Sequence, residues 1–545
     1  ERSVKERKLE HGVQAVYSLR GCSSHNYNPF LALKREETTE GNGEVYGFSL
    51  VYSGNFLAQA DVDTYDTTRV TMGIHPDTFS WNLRPGETFQ TPEAVMVYSD
   101  HGLNGMSQAY HTLYRSRLAR GFWRDRERPV LINNWEATYF DFDEDKILEI
   151  VKTAKELGVE LFVLDDGWFG KRNDDTSSLG DWYPNLEKLP DSITGVARRV
   201  EEMGLKFGLW FEPEMTNKES RLYREHPDWI LSVPGRKVSV GRNQYVLDFS
   251  REEVVNAIFE QMKKVLAEAP ISYIKWDMNR SMSEVYSAGA GAKDQGKVMH
   301  KYILGVYRLY DMLTKEFPEI LFESCASGGA RFDPGLLYYA PQCWTSDDTD
   351  AVERCKIQYG TSFVYPVSSM GAHVSAVPNH QLLRNTSLET RANVAYFGTF
   401  GYELDPNRLT EEEKEEVKAQ ITFMKQYRHL IQYGTFYRLL SPFEGNETAW
   451  MVVSEDKTRA IVGYYKVLQS VNGPYKKVRL QGLDPDRKYH VAGMEPGKYE
   501  EDLYGDELLW YGLNVSDASS GENKEKYNGK NGDYQSRLYL LSSIE

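Results

Sequence analysis

Cysteine is scarce, with four in 545 residues. That is too few for a fold stapled by disulfides, and no Cys-x-x-Cys pair occurs. The 11 histidines show no His-Glu-x-x-His or similar paired-ligand spacing, so neither a metal nor another cofactor is expected. Apolar runs of 18 residues are missing, which excludes a membrane-spanning helix. Positive charge is in deficit, 64 Lys and Arg against 80 Asp and Glu, a net charge of −16, which argues against a nucleic-acid partner. Glu1 to Leu9 lack the apolar centre of a signal peptide, so a cytoplasmic location is expected. What the chain has in quantity is aromatic surface: 11 Trp, 36 Tyr and 23 Phe. Most aromatics serve packing, but flat rings beside acidic groups are also what sugar sites use.

Three stretches differ in period. Residues 1–127 read as β-rich: Val45–Tyr52, a turn at Ser53-Gly54-Asn55, Phe56–Val62 and Arg69–Ile74, with helical spacing only from Gly105 to Leu118. Residues 128–407 alternate apolar runs with amphipathic helices. The runs are Val130–Trp135, Glu160–Leu164, Lys206–Phe211, Ser272–Trp276, Ile320–Glu323, Gln342–Thr345, Phe363–Tyr365 and Val394–Phe397. Continuous apolar runs are the mark of buried parallel strands, and eight such units in about 280 residues match an α/β fold of the (β/α)8 TIM-barrel type. An open doubly wound sheet is the other possibility. Residues 408–545 open with a helix, where Thr410 and Glu413 form a capping box and Gly434 lies past the end. They then return to period two at Ala449–Val453, Arg459–Tyr465, Val478–Leu480, Tyr489–Val491, Leu508–Tyr511 and Leu538–Leu541. This predicts a C-terminal antiparallel β-domain, with 519–533 as a polar loop.

The polar residues decide for the barrel. Six predicted strands end in acidic clusters: Asn133-Asn-Trp-Glu136, Asp165-Asp-Gly-Trp168, Trp210-Phe-Glu-Pro-Glu214, Lys275-Trp-Asp-Met-Asn-Arg280, Glu323-Ser-Cys-Ala-Ser-Gly-Gly329 and Trp344-Thr-Ser-Asp-Asp348. One acidic strand end is usually a helix cap. Six, five of them with Trp, point to the carboxyl-end active site of a barrel. Carboxylates and aromatics without a metal motif suggest glycoside hydrolysis: one carboxylate attacks or stabilises the anomeric carbon while a second, protonated, serves the leaving oxygen. Lys275, two residues before Asp277, suits an ionised nucleophile there. Between Asp347 and Asp348 the residues themselves do not choose. Asp350 reads as a helix cap, Glu212 and Glu214 as orienting groups, and Ser287–Lys297 as a mobile small-residue segment at the barrel rim.

These motifs together resemble the α-galactosidases of glycoside hydrolase family 36. The resemblance covers the whole barrel and implies a retaining double displacement. It assigns Asp277 as nucleophile and Asp347 as general acid/base, about 5–5.5 Å apart. It assigns Asp165 and Asp166 to galactose O4 and O6, and Trp210, Arg242, Lys275 and Asn279 to further sugar contacts. Cys325 and the Gly328 backbone fall near the 2-hydroxyl, with Trp344 and Trp135 as aromatic walls. The implied substrates are melibiose and raffinose-type oligosaccharides. An α-N-acetylgalactosaminidase, an α-galactosyl transferase and a non-catalytic galactoside-binding barrel are the alternatives. The resemblance further implies a homotetramer and an N-terminal β-sandwich larger than residues 1–127 supply, with exposed strand edges in the first 100 residues.

Overall fold

A computed structural model of the chain describes residues 3–471, 475–494, 499–515 and 532–544. Most of the predicted 519–533 loop lies outside them. Among the described residues no helix is long and apolar enough to cross a membrane.

The N-terminal stretch forms two antiparallel three-stranded sheets. In one, Phe56–Val62 lies between Gly12–Tyr17 and Thr68–Ile74; in the other, Val45–Val51 lies between Phe30–Lys34 and Glu93–Ser99. Helix Gly102–Leu113 follows and continues as a wider turn, Tyr114–Leu118.

Eight parallel strands then close into a barrel: Leu131–Asn133, Leu161–Leu164, Lys206–Phe211, Ile271–Trp276, Leu321–Ser324, Gln342–Trp344, Met370–Ser375 and Thr399–Glu403. The first six are the predicted ones, and the last two correct the sequence reading. Phe363–Tyr365 is the turn after helix Ala351–Thr361, and Val394–Phe397 ends helix Leu388–Ala395. A short apolar run does not distinguish a strand from a buried helix end. The true strands lie a few residues further along each time.

Side chains of a strand alternate between the barrel interior and the surrounding helices. Leu131, Leu161, Val163, Tyr273 and Leu321 fill the interior, and Trp123 joins them. Ile132, Phe162, Leu164, Ile274 and Phe322 pack in the outer layer with the helices. Gly208 leaves room for this floor, since a Cβ there would fall 2.9 Å from the Tyr273 ring.

Helix Glu411–Tyr433 opens on the predicted capping box at Thr410 and Glu413, and Gly434 caps its end. The C-terminal part is a six-stranded antiparallel sheet in the order Thr435–Leu440, Glu447–Val453, Arg459–Lys466, Gln535–Ser543, Lys488–Gly493, Glu500–Tyr504. Lys477–Val478 pairs with Leu513–Asn514 beside it. Leu508–Tyr511, read as a strand, is a helical turn, Glu507–Tyr511, that buries Leu508 and exposes Trp510 and Tyr511. A short continuous apolar run does not distinguish a strand from a helical turn.

Candidate active site

The inward phase of the strands carries the site. Leu161 and Val163 point inward, so Asp165 does too. Tyr273 is followed in phase by Lys275 and Asp277, Leu321 by Glu323 and Cys325, and Leu131 by Asn133. The floor of the barrel is apolar and the same faces turn polar at the carboxyl end. Register sets the level: Lys275 lies beside Trp210 on one neighbouring strand and Glu323 on the other.

Asp277 is buried and densely donated to. Its Oδ1 accepts from the backbone N–H of Met278 (2.8 Å) and Ser327 (3.2 Å). Its Oδ2 accepts from Asn279 Nδ2 (2.7 Å) and Trp210 Nε1 (3.3 Å), and the Cys325 thiol donates as well. Burial pushes this carboxyl up, but Lys275, the Cys325 thiol, Asn279 and Arg242 outweigh it and hold it below the ordinary range. Burial and the Asp277 charge push the Cys325 thiol well above its ordinary value, which disfavours the thiolate that a nucleophile needs.

Asp347 sits at the end of the sixth strand. Trp344 Nε1 donates to its Oδ1 at 3.0 Å, and Gln381 Nε2 to its backbone oxygen at 3.0 Å. Its side chain is exposed to the open cavity beside it. Desolvation and the charge of Asp277 push it up to about 7, with Lys275 opposing. Asp348 is turned into the protein, where it accepts from Asp350 N–H. Asp350 is the N-cap of helix Ala351–Thr361, as predicted, accepting from Val352 and Glu353.

A second polar group lies on the Asp165 side. Asp165 Oδ2 accepts from Lys275 Nζ at 2.9 Å and from Asn133 Nδ2 at 2.6 Å. Asp166 forms a bidentate pair with Arg172, at 2.9 and 2.8 Å. Trp344 is fixed between the Arg354 guanidinium, 4.5 Å from its ring, and the His373 ring at 4.3 Å. Trp135 is half-buried at the end of the first strand and packs on Tyr139 and Phe140. Arg242 is exposed on the turn that leads into strand Gln244–Val246, with φ +49°, and its Nη1 donates to Asn279 Oδ1 at 2.7 Å. A Cβ on Gly328, φ +82°, would lie 2.7 Å from Asp347 N. The predicted residues therefore gather at one mouth, with Trp135 and Arg242 at its rim.

Glu212 and Glu214 orient neighbours. Glu212 accepts from Asn279 and Gln244, while Glu214 holds Arg331, Trp276 and Tyr302. Sequence reasoning missed Glu403, on the eighth strand, and its partner His373, on the seventh (3.2 Å). Burial pushes Glu403 up, but His373 and Lys275 hold it below the ordinary range. The signal is present, an acidic residue ending Thr399-Phe-Gly-Tyr-Glu403, but the apolar helix end Val394–Phe397 just before it carries the stronger apolar run. The pairing of Glu136, in the short helix Trp135–Thr138, with His380 at 3.2 Å joins segments distant in sequence.

Three family models match in chain order. The glycosyl hydrolase family 36 N-terminal domain matches residues 1–84, Melibiase matches 88–434, and the glycosyl hydrolase family 36 C-terminal domain matches 447–541. The chain is 60% identical to alpha-galactosidase AgaA of Geobacillus stearothermophilus over 95% of its own length and 70% of the relative's. It is 50% identical to alpha-galactosidase Mel36A of Lactobacillus acidophilus over 94% and 69%. A crystal structure of an AgaA variant in complex with raffinose superposes with a TM-score of 0.94 at 58% identity, covering 99% of this chain and 72% of that one. Barrel, flanking sheets and motif-bearing strand ends thus coincide with one group of enzymes along nearly the whole sequence, and the chain belongs to glycosyl hydrolase family 36.

Proposed function

We propose that the protein is a retaining exo-α-galactosidase that releases terminal α-linked galactose from melibiose and raffinose-type oligosaccharides. Its similarity to alpha-galactosidases, one of them solved with raffinose, supports the substrate class. The observation that carries the mechanism is the contrast between two carboxyls in one site, Asp277 held ionised and Asp347 pushed up to about 7. Groups whose surroundings drive them apart in this way suit the roles of nucleophile and acid.

In the first step an oxygen of Asp277 bonds to the anomeric carbon. The glycosidic bond breaks, and the Asp347 proton passes to the departing oxygen. The leaving sugar is released as an alcohol and a β-galactosyl ester remains on Asp277. In the second step Asp347, now ionised, takes a proton from water whose oxygen attacks the same carbon. The ester bond breaks, galactose leaves with its original anomeric configuration, and both carboxyls return to their starting states. Asp165, held by Lys275 and Asn133, and Asp166, held by Arg172, are the groups we assign to the galactose O4 and O6 hydroxyls. Trp210, Lys275 and Asn279 contact the same sugar, with Arg242 acting on Asn279. Cys325 and the Gly328 backbone lie toward the 2-hydroxyl, and Trp344 and Trp135 form the walls. A homotetramer and a cytoplasmic location belong to the same reading.

Release of nitrophenol from p-nitrophenyl α-galactoside tests the activity. Asp277→Ala tests the mechanism: it abolishes turnover, and added azide restores it with β-galactosyl azide as product. Formation of the α-azide, or full activity in Asp277→Ala, would overturn the assignment.

A further inference from the structure

A cavity of about 490 Å³ opens beside Asp347, within the roughly 300–1,000 Å³ range of small-molecule sites. One wall belongs to the barrel: Ser327, Ser346, Asp347 and Gln381. The other belongs to the N-terminal stretch, where Lys5, His25, Asn26 and Tyr27 face it. Of the two reacting carboxyls, only Asp347 lines this space. An acid delivers its proton to the glycosidic oxygen, so what lies beyond that oxygen is the departing group.

The N-terminal wall is firmly built onto the barrel. Ser24 N–H donates to Ala330 O at 2.5 Å, and Ser23 Oγ reaches Ala330 O and Asp333 Oδ2 at 3.1 and 2.8 Å. Asn28 Nδ2 donates to Phe332 O at 2.7 Å, and Tyr365 OH donates to Asn28 Oδ1 at 2.8 Å. Ser24 adopts φ +99°, a costly conformation for a residue with a side chain, and its Oγ accepts from Asn26 N–H at 2.9 Å. This turn leaves Asn26 exposed and His25 and Tyr27 half-buried at the cavity. The anchoring residues Ala330 to Asp333 belong to the loop after the fifth strand, which also carries Ser327. The hook is thereby held in register with the backbone N–H that donates to Asp277.

We propose that the Ser24–Tyr27 hook of the N-terminal part forms the leaving-group subsite of the same chain's barrel. It recognises a hydroxyl-rich sugar through Asn26, His25 and Lys5 and offers the Tyr27 ring as its flat contact. The proposal rests on the galactosidase reading and adds to it a specificity determinant outside the barrel. Exo-acting enzymes distinguish oligosaccharides through this side, so discrimination among leaving groups is a property of the hook.

Raffinose and α-galactosyl fluoride test it together, because fluoride fills no sugar subsite. Asn26→Ala and Tyr27→Ala lower the ratio of kcat/KM for raffinose to that for the fluoride about tenfold each, the value of one hydrogen bond or stacking contact. A ratio within twofold of the parent's for both variants overturns the subsite while leaving the galactosidase reading intact. A parent protein that turns over neither substrate overturns the galactosidase reading, and the subsite with it. Asn26 is exposed and its side chain takes no part in the bonds to Ala330 and Phe332, so its variant keeps the test available where Tyr27→Ala does not fold.

Discussion

Lys275 Nζ donates to Asp165 Oδ2 at 2.9 Å from a strand position two residues before Asp277. All three groups are buried, so this one cation serves at once the carboxylate we assign to the sugar and the nucleophile we propose. Burial alone pulls the Lys275 ammonium down, but Asp165 and the neighbouring acids more than reverse this. Removing one partner of a buried pair leaves an uncompensated charge and costs roughly 3–5 kcal/mol. Lys275→Met is therefore expected to unfold at lower denaturant concentration and to lose at least about 100-fold in kcat/KM, the equivalent of about 2.7 kcal/mol. Lys275 lowers both Asp277 and Asp347. In its absence both limbs of the pH profile move to higher pH, and limbs that stay in place would contradict the electrostatic role.

In the role we propose, Asp347 sets the alkaline side of that profile. It must carry a proton to serve the leaving oxygen, and it is pushed up to about 7. Activity is thus present below this pH and lost as pH rises through it. In Asp347→Ala the alkaline limb of kcat/KM disappears for substrates with very good leaving groups, while poor leaving groups react far more slowly. The sign for stability is the same. A carboxyl raised in the folded state favours folding below its unfolded value near 4, and that contribution is lost as pH climbs through about 7. Melting of Asp347→Asn against the parent reads this directly: the variant's advantage grows from pH 4 to pH 8. A constant difference across that range would place the origin of the shift elsewhere.

Glu212 holds the Asn279 amide that donates to Asp277, accepting from Asn279 Nδ2 at 3.3 Å and from Gln244 Nε2 at 3.0 Å. Burial and the Asp277 charge push it up to about 8, with the Asn279 backbone N–H opposing. That direction favours the protonated acid near neutral pH. Glu212→Gln, neutral like the acid it replaces, is expected to keep kcat/KM within about tenfold at pH 6. Glu212→Ala, which frees Asn279, falls by about 100-fold, on the scale of a misplaced catalytic group. Equal damage from both would show that the group works as an ion.

The barrel and its chemistry were legible because two periods coincide. Inward positions at Leu161, Val163 and Asp165, and at Tyr273, Lys275 and Asp277, change from apolar to charged at the same height on the second and fourth strands. That change is visible in the chain before any pairing is known. The seventh and eighth strands were misread because each follows an apolar segment belonging to a helix or its exit, and Gly371 and Gly401 dilute the strand's own run. His373 and Glu403 were lost with them. The joining of residues 23–28 to 330–333 had no local signature at all, since its donors and acceptors are largely backbone groups and small polar side chains some 300 positions apart.

Gly328 supplies the last expectation. Its φ of +82° is one that residues with a Cβ rarely adopt. A Cβ there would also stand 2.7 Å from Asp347 N and 2.8 Å from Ser346 Cα, both backbone atoms that cannot swing aside. Gly328→Ala must therefore displace the strand end that carries Asp347, or the loop that gives Ser327 N–H to Asp277. A shift of about 1 Å in such a group costs on the order of 100-fold in rate. The two displacements differ in what they spare. Movement of Asp347 slows substrates with poor leaving groups far more than activated ones, whereas movement of Ser327 weakens stabilisation of Asp277 and slows both alike. Comparing kcat/KM for melibiose with that for a dinitrophenyl α-galactoside separates them. The closer approach to Asp347 N predicts the selective loss, and a variant with parental rates on both substrates would show that this contact does not position the acid.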